Sequence, residues 1–243
     1  MPEGPSIVIL KEEVQQFSGQ KVLEAAGNSS IEISRLKNKT IREFKTWGKH
    51  FLICFDDFTV KIHMLMFGTY RINERKETVP RLSLIFANGE LNFYTCSIKI
   101  LEGDINLYYK WEEDVMNENW DPKKAKQSLD KIPNILICDA LLEQNIFSGV
   151  GNIIKNEVLY RCKIHPESLV GQIPEKDIQR LIKESVIYSF QFLEWKKKYE
   201  LKKHWLAHTK KTCVRCSLPL VKKYTGIKKR RSFFCANCQK LYQ

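Results

Sequence analysis

No stretch of the chain approaches about 18 consecutive apolar residues, so no membrane-spanning helix is expected. The opening residues carry no basic run ahead of their short apolar segment, and Glu12 and Glu13 follow it at once, which argues against a secretory signal. Internal repeats are absent, as is low-complexity sequence outside a basic end. Acidic residues almost vanish from 195–243, where Glu200 stands alone among 15 Lys and Arg. The remaining residues hold 25 basic against 27 acidic, so the net charge of +12 sits in the last fifth. Such a tail is either a solvated run or a surface for a polyanion. An anionic membrane is the weaker partner, because the tail lacks one amphipathic helix to carry it. Apolar residues make up 43% and charged residues 28%, which excludes wholesale disorder. A chain of 243 residues suffices for one large domain or two ordinary ones.

Cysteine usage divides in the same way. Cys54, Cys96, Cys138 and Cys162 lie scattered in apolar surroundings and read as buried free thiols. Cys213, Cys216, Cys235 and Cys238 form C-x2-C-x18-C-x2-C. Two turns that each present two sulfurs across a hairpin match the tetrahedral demand of zinc, so one structural zinc ion is expected. Disulfides are the alternative, disfavoured without a secretory signal. His204 and His208 lie nearby in HWLAH, but four cysteines already close the shell, so both read as helix-surface or phosphate-facing.

Residues 1–118 are strand-rich. TIREFKTW, HFLICF, FTVKIHML, TYRIN, RLSLIF and LNFYTC are short and enriched in β-branched and aromatic residues. Asn88-Gly89 and the link in ICFDDFTV signal hairpins. SIVILKEEVQQFSG reads as one helix with Ile9, Val14 and Phe17 on a face and Gly19 at its stop. WDPKK at 120–124 reads as the domain junction. Beyond it Ile132, Ile135, Leu136 and Ala140 follow helical spacing, and a second helix starts near Asn152. A third runs from Pro174 to Lys198, with Glu175 and Asp177 early and lysines late to match its dipole, and Ile178, Leu181, Ile182 and Val186 as its buried stripe.

FSGVGN places two glycines in a tight turn ahead of an asparagine at a helix start. Free backbone N–H groups there can receive an anion, although such turns often only connect packed helices. Beside a zinc hairpin and a basic tail, phosphate is the natural anion.

Five segments, in order, resemble the formamidopyrimidine-DNA glycosylase and endonuclease VIII family of base-excision repair enzymes: MPEGP, TWGKHFLI, HMLMFGTYRI, LLEQNIFSGVGNIIKNEVLYRCKIHP and RRSFFCANCQ. The resemblance covers nearly the whole chain. It implies an α+β fold with an N-terminal two-layer β-sandwich and flanking helices (1–118), a helical domain with a helix–two-turn–helix motif (119–206) and a zinc-ribbon β-hairpin (207–243). It also implies a bifunctional DNA glycosylase and abasic-site lyase that binds damaged DNA, duplex, bubble or single-stranded, as a monomer in the cytoplasm, nucleoid-associated in a prokaryote. Zinc would be structural only.

In this family Met1 is removed and the N-terminal proline, here Pro2, is the nucleophile. An α-amino group has a pKa of roughly 7.7–8.0 against about 10.4 for lysine, so a useful fraction is unprotonated near neutrality. A secondary amine can attack the sugar C1′ and leave an iminium, and Glu3 stands one residue away as general acid. By resemblance Lys49 lies beside the leaving base and its phosphate; a solvated strand lysine is the alternative. Asn152 and Arg230 clamp phosphates, with Arg231 as a near competitor, and Arg230 assists the second elimination. Glu157 is the carboxylate near the amine, or else a surface helix residue. Flipping a base out leaves a gap for an apolar wedge. Met66 matches that wedge, with Leu65 beside it, unless Met64 and Met66 alternate within a strand core. His63, Arg81 and Lys99 are candidate DNA contacts. Where oxidised-guanine enzymes carry a segment like DPRRFG, this chain has CSIKIL, without the arginine and aromatic wedge. That points to oxidised pyrimidines or ring-opened lesions, with Phe67 and Tyr70 as candidate stacking groups. The rival readings are a catalytically silent damaged-DNA-binding protein of the same fold and a zinc-ribbon RNA-binding module.

Overall fold

A computed structural model describes residues 2–243; Met1 lies outside the described residues. The chain divides into two compact units, Met1–Lys110 and Trp111–Gln243.

In the first unit, α1 (Gly4–Glu13) opens with Pro5 in its first turn, where a missing N–H costs nothing. Its buried Ile7 and Leu10 continue into Val14 and Phe17 just beyond it, at spacings of three and four, while Ile9 turns partly outward. The helix is shorter than the expected segment. It passes into a 3-10 turn at Gln15–Phe17, and Gly19 follows with φ +75°. Eight strands then form two antiparallel sheets. One has the order β1 (Glu24–Ala26), β6 (Leu82–Phe86), β7 (Gly89–Tyr94), β5 (Thr69–Ile72). The other has the order β2 (Glu43–Trp47), β3 (His50–Cys54), β4 (Phe58–His63), β8 (Ser97–Glu102). Their inner faces share one core, in which Phe51 of β3 and Phe93 of β7 approach to 5.8 Å between ring centroids. This is the expected two-layer sandwich.

Two local readings shift. Phe86 pairs with Gly89, so the β6–β7 turn is Ala87-Asn88, and Gly89 already belongs to β7. Its glycine is required because a Cβ there would collide with the Asn73 side chain, which accepts the Glu90 N–H at 2.9 Å. CSIKIL supplies all of β8 except Glu102, and the strand pairs with β4 from Ser97 to Glu102.

In the second unit, residues 111–118 are tied in by Val115 N–H donating to the Ser148 carbonyl and by a bridge from Asp114 to Ser148. WDPKK, read from the sequence as the domain junction, opens a helix. Asp121 caps α2 (Pro122–Asp130), accepting the Lys123 and Lys124 N–H groups, and Pro122 occupies the first turn. The helix expected over 132–140 shrinks to α3 (Ile137–Ala140), since Pro133 lies inside the apolar pattern and cannot donate to a helix ladder. α4 (Asn152–Cys162) starts where expected and ends on Lys163 at φ +58°. α5 (Glu175–Lys197) matches its sequence signals at both ends. β9 (Val221–Thr225) and β10 (Arg230–Phe234) make the hairpin. α4 is buried on nearly every side. Its Ile154, Val158 and Leu159 pack into one core with Leu181, Ile182 and Phe192 of α5, and its polar face meets the hairpin.

Candidate active site

Glu3 occupies the N-cap of α1 in extended backbone (φ −117°, ψ 172°), and its carbonyl accepts the Ser6 N–H at 2.8 Å. It is 1% exposed, an uncommon state for a carboxylate, and Gly4 and Pro5 behind it are buried. Pro2 is half-buried and stands one residue outside this anchored helix. The fold therefore sets Pro2 and Glu3 side by side on a rigid support.

Lys49 sits at the tip of the β2–β3 hairpin, between Gly48 (φ +53°) and the closing pair Trp47–His50. Trp47 is 8% exposed, donates from its indole to the Lys110 carbonyl at 2.9 Å and packs at 5.2 Å on Tyr109. Tyr109 Oη lies 3.2 Å from His50 Nδ1. This aromatic clamp fixes the base of the Lys49 turn, which a solvated strand lysine would not need. Burial, reinforced by Lys61, His63 and Lys49, pushes the His50 pKa down to about 4. The same desolvation lowers His63.

β4 ends at His63, and a turn over 64–68 follows. Met64 is buried, whereas Leu65, Met66 and Phe67 are 47%, 49% and 76% exposed. Met66 is thus excluded from the strand core, and three consecutive apolar side chains project from one tight loop. Local bonds fix the loop in this shape. Leu65 takes φ +51°, its N–H donates to His63 Nδ1 at 3.1 Å, and Gly68 donates to the Met64 carbonyl at 2.7 Å. A Cβ at Gly68 would strike that carbonyl. Tyr70 instead donates to Glu13 of α1 at 2.5 Å, which leaves Phe67 as the better stacking candidate. Arg81 donates to the Asn28 carbonyl at 2.7 Å and to its side chain at 3.0 Å. Lys99 is exposed on β8 directly opposite Lys61 of β4, on the outer sheet face that also carries His50 and His63.

In the second unit, the two-glycine turn is stapled by a residue that sequence reasoning did not single out. Gln144 accepts the Gly149 N–H at 3.2 Å and donates to the Leu142 and Val150 carbonyls at 3.0 and 3.2 Å. Gly149 has φ +96°. Asn152 begins α4 and donates to the Arg231 carbonyl at 3.0 Å, so its amide links the helix start to the hairpin. One turn on, Lys155 is fully buried with Nζ 2.9 Å from Ser232 Oγ, and Asn156 accepts the Phe233 N–H at 3.2 Å. Glu157 is not a surface residue. It is fully buried and accepts backbone N–H groups of Leu206, Ala207 and His208 at 2.9, 2.9 and 2.7 Å. Burial outweighs these donors and holds its carboxyl above the usual range.

Arg230 opens β10 and is half-buried. By strand alternation it shares its face with Ser232 and Phe234, both buried. Arg231 points the other way, donating to Tyr224 Oη at 2.7 Å beneath an exposed edge. The two competitors are thereby separated: Arg230 lies on the face turned to α4.

The four sulfurs of Cys213, Cys216, Cys235 and Cys238 all lie within 4.8 Å of one another. Tetrahedral zinc with bonds of about 2.3 Å sets sulfurs about 3.8 Å apart. Cys213 and Cys238 are 4.0 Å apart and Cys216 and Cys235 3.5 Å, so the cluster fits a metal ion of that kind. His208 lies outside any helix and is half-buried. Its Nδ1 lies 3.2 Å from the Asn156 amide, and burial, helped by Lys155, lowers its pKa to about 4. His204 stacks on Trp195 at 4.2 Å.

Among the described residues no helix is long and apolar enough to cross a membrane. Two family models match: the formamidopyrimidine-DNA glycosylase N-terminal domain over residues 1–97 and the formamidopyrimidine-DNA glycosylase H2TH domain over 112–189. An endonuclease 8-like 3 of Mus musculus is 28% identical over 225 residues, covering 88% of this chain and 37% of the relative. The chain spans between 34% and 38% of the length of such endonuclease 8-like 3 relatives. A formamidopyrimidine-DNA glycosylase of Mycoplasma genitalium is 27% identical, covering 99% of this chain and 96% of that protein. The crystal structure of a Lactococcus lactis enzyme in complex with DNA containing an oxidised pyrimidine superimposes with TM-score 0.86 at 25% identity, covering 98% and 100% of the two chains. A viral DNA glycosylase superimposes with TM-score 0.84 at 21% identity, covering 98% and 100%, a likeness of fold. With both domain models matched in order along its length, the chain belongs to the formamidopyrimidine-DNA glycosylase family.

Proposed function

We propose that the protein excises damaged bases from DNA and then cleaves the abasic strand, acting as a bifunctional DNA glycosylase and lyase. The observation that carries this reading is the pair Pro2–Glu3, a secondary amine and a buried carboxylate at the mouth of an anchored helix. DNA binding or packing alone needs neither. Once Met1 is removed, the Pro2 nitrogen attacks C1′, the bond from C1′ to the base breaks, and Glu3 protonates the opening sugar. The iminium then acts as electron sink while loss of a C2′ proton expels the 3′ phosphate, and a second elimination expels the 5′ phosphate. Lys49 and Arg230 are assigned to the phosphates beside the reacting sugar, Asn152 to phosphate positioning, and Met66 with Leu65 to the gap left by the flipped base. His63, Arg81 and Lys99 are assigned to the DNA backbone, and Glu157 to ordering residues 206–208. Residues up to 118 carry the chemistry, 119–206 the helix–two-turn–helix, and 207–243 the hairpin. Zinc held by Cys213, Cys216, Cys235 and Cys238 would supply rigidity to that hairpin and no chemistry. Work as a monomer on cytoplasmic or nucleoid DNA completes the reading.

The favoured lesions are oxidised pyrimidines and ring-opened bases, because β8 occupies the segment where an opposite-strand probe would stand. Incision of a duplex holding one oxidised pyrimidine should leave phosphate on both new ends and be lost in Glu3→Gln. Tight binding of the same duplex by metal-loaded protein, with no base release and no incision, would replace this reading with the silent binder. Preference for structured RNA over abasic DNA would instead favour the RNA-binding module.

A further inference from the structure

The tip of the β9–β10 hairpin is gripped by a residue outside every role assigned above. Asp139 lies in α3 and is 4% exposed. Its Oδ2 accepts the Ile227 N–H at 2.7 Å and its Oδ1 the Lys228 N–H at 3.2 Å. Gly226, at φ +70°, must be glycine here, since a Cβ would run into the Asp139 carboxylate. Glu143, one turn further, pairs with Lys228 Nζ at 2.8 Å. α3 and the turn after it thus hold residues 226–228, two positions before Arg230. The hairpin stem is fixed separately, by Thr225 Oγ1 at 2.6 Å from Ser232 Oγ and by Lys155 on that same hydroxyl.

The tip needs such a holder. Ile227 is 82% exposed and Lys229 takes φ +46°, so the turn has little apolar burial of its own. Two backbone donors on one buried carboxylate are a charge-assisted pair, and removing the acceptor orphans both. We infer that Asp139 is the positioning residue for Arg230, locking the hairpin tip so that this guanidinium is presented to a DNA phosphate without reorganisation. The inference rests on the proposed reading of Arg230 as a phosphate contact.

The test is a double-mutant cycle on metal-loaded protein, binding duplex DNA that holds a tetrahydrofuran abasic analogue. Asp139→Ala should weaken binding by about tenfold and lower the salt slope by about one, the same effect expected of Arg230→Ala. The double variant should be no weaker than Arg230→Ala alone. Asp139→Asn, which keeps one acceptor, should recover part of the loss. Gly226→Ala, which removes no charge, should reproduce it. Metal content should stay at the parental level in all of them. Without DNA, amide exchange at Ile227 and Lys228 should speed up in Asp139→Ala. Unchanged exchange there, or losses that add in the double variant, would overturn the inference. Parental binding by Arg230→Ala would remove the role of Arg230 and this inference with it, which the exchange result distinguishes from a failed clamp.

Discussion

Glu157 shows how a single side chain can organise a segment far from it in sequence. Three backbone N–H groups at 206–208 converge on its buried carboxylate. Glu157→Gln keeps one acceptor but turns an NH2 toward a donor, so a loss of about 2–3 kcal/mol is expected, measured by denaturant unfolding. His50 makes a second prediction at this scale. Its folded pKa, near 4, lies below the ordinary 6.5 because the ring is buried among cations. The unfolded chain therefore binds more protons between those values, so the stability held by neutral His50 is complete above pH 6.5 and drains away as pH falls toward 4. An NMR titration of the imidazole should find its midpoint near 4, and a midpoint at 6.5 would refute the buried aromatic clamp. The burial of Glu157 and Lys155 was not visible in the sequence, where Glu157 read as the carboxylate near the amine or as a surface helix residue, because the partners of both lie 49 to 77 positions away.

At the scale of elements, the 64–68 loop and the hairpin carry separate predictions. The loop exposes Leu65, Met66 and Phe67 while its backbone is fixed by His63 and Gly68. Met66→Ala should leave the melting temperature within about 2 °C, since half the side chain is already in solvent. It should slow base release on an intact lesion by about tenfold, roughly 1.4 kcal/mol, yet spare cleavage of a preformed abasic site, where no base needs flipping. Equal losses on both substrates would remove the wedge role. For the hairpin, the small core that Ala207, Cys213, Phe233 and Cys235 form with Tyr160 of α4 should depend on the metal that the cysteines fit. Chelation should abolish DNA binding while most helical circular dichroism survives, because α4 and α5 share their own core. Elements with local punctuation were legible: Pro174 with its early acids announced α5, and cysteine spacing announced the cluster. α2 was hidden because Asp121-Pro122 serves equally as a linker and as an N-cap with its first turn. β8 was hidden because its burial alternation breaks at Ile100 and Leu101.

Across the whole molecule, charge is distributed unevenly. Residues 1–110 hold 15 basic and 13 acidic side chains, whereas 111–243 hold 25 and 15. Net attraction for a polyanion therefore comes from the second unit, and the plot of log affinity against log salt should take most of its slope there. Neutralising Lys222, Lys229 and Arg230 together should flatten that slope by about three, while a triple change at Lys11, Lys21 and Lys37 should leave it near the parental value. The proposed chemistry belongs to the other unit, at Pro2 and Glu3, and the sequence pointed to that assignment only through the five family-like segments. What sequence could not reveal is the mutual support within each unit, such as Gln144 on the two-glycine turn or Asp139 on the hairpin tip.

The central claim is that Pro2 becomes the nucleophile. The most direct measurement is to mix the protein with duplex DNA holding one abasic site, add borohydride, and map the adduct by mass spectrometry. The account predicts a single covalent crosslink on the Pro2 nitrogen of chains lacking Met1, absent from Pro2→Ala. DNA bound by protein with Met1 removed, but with no crosslink or with the crosslink on a lysine, would contradict it.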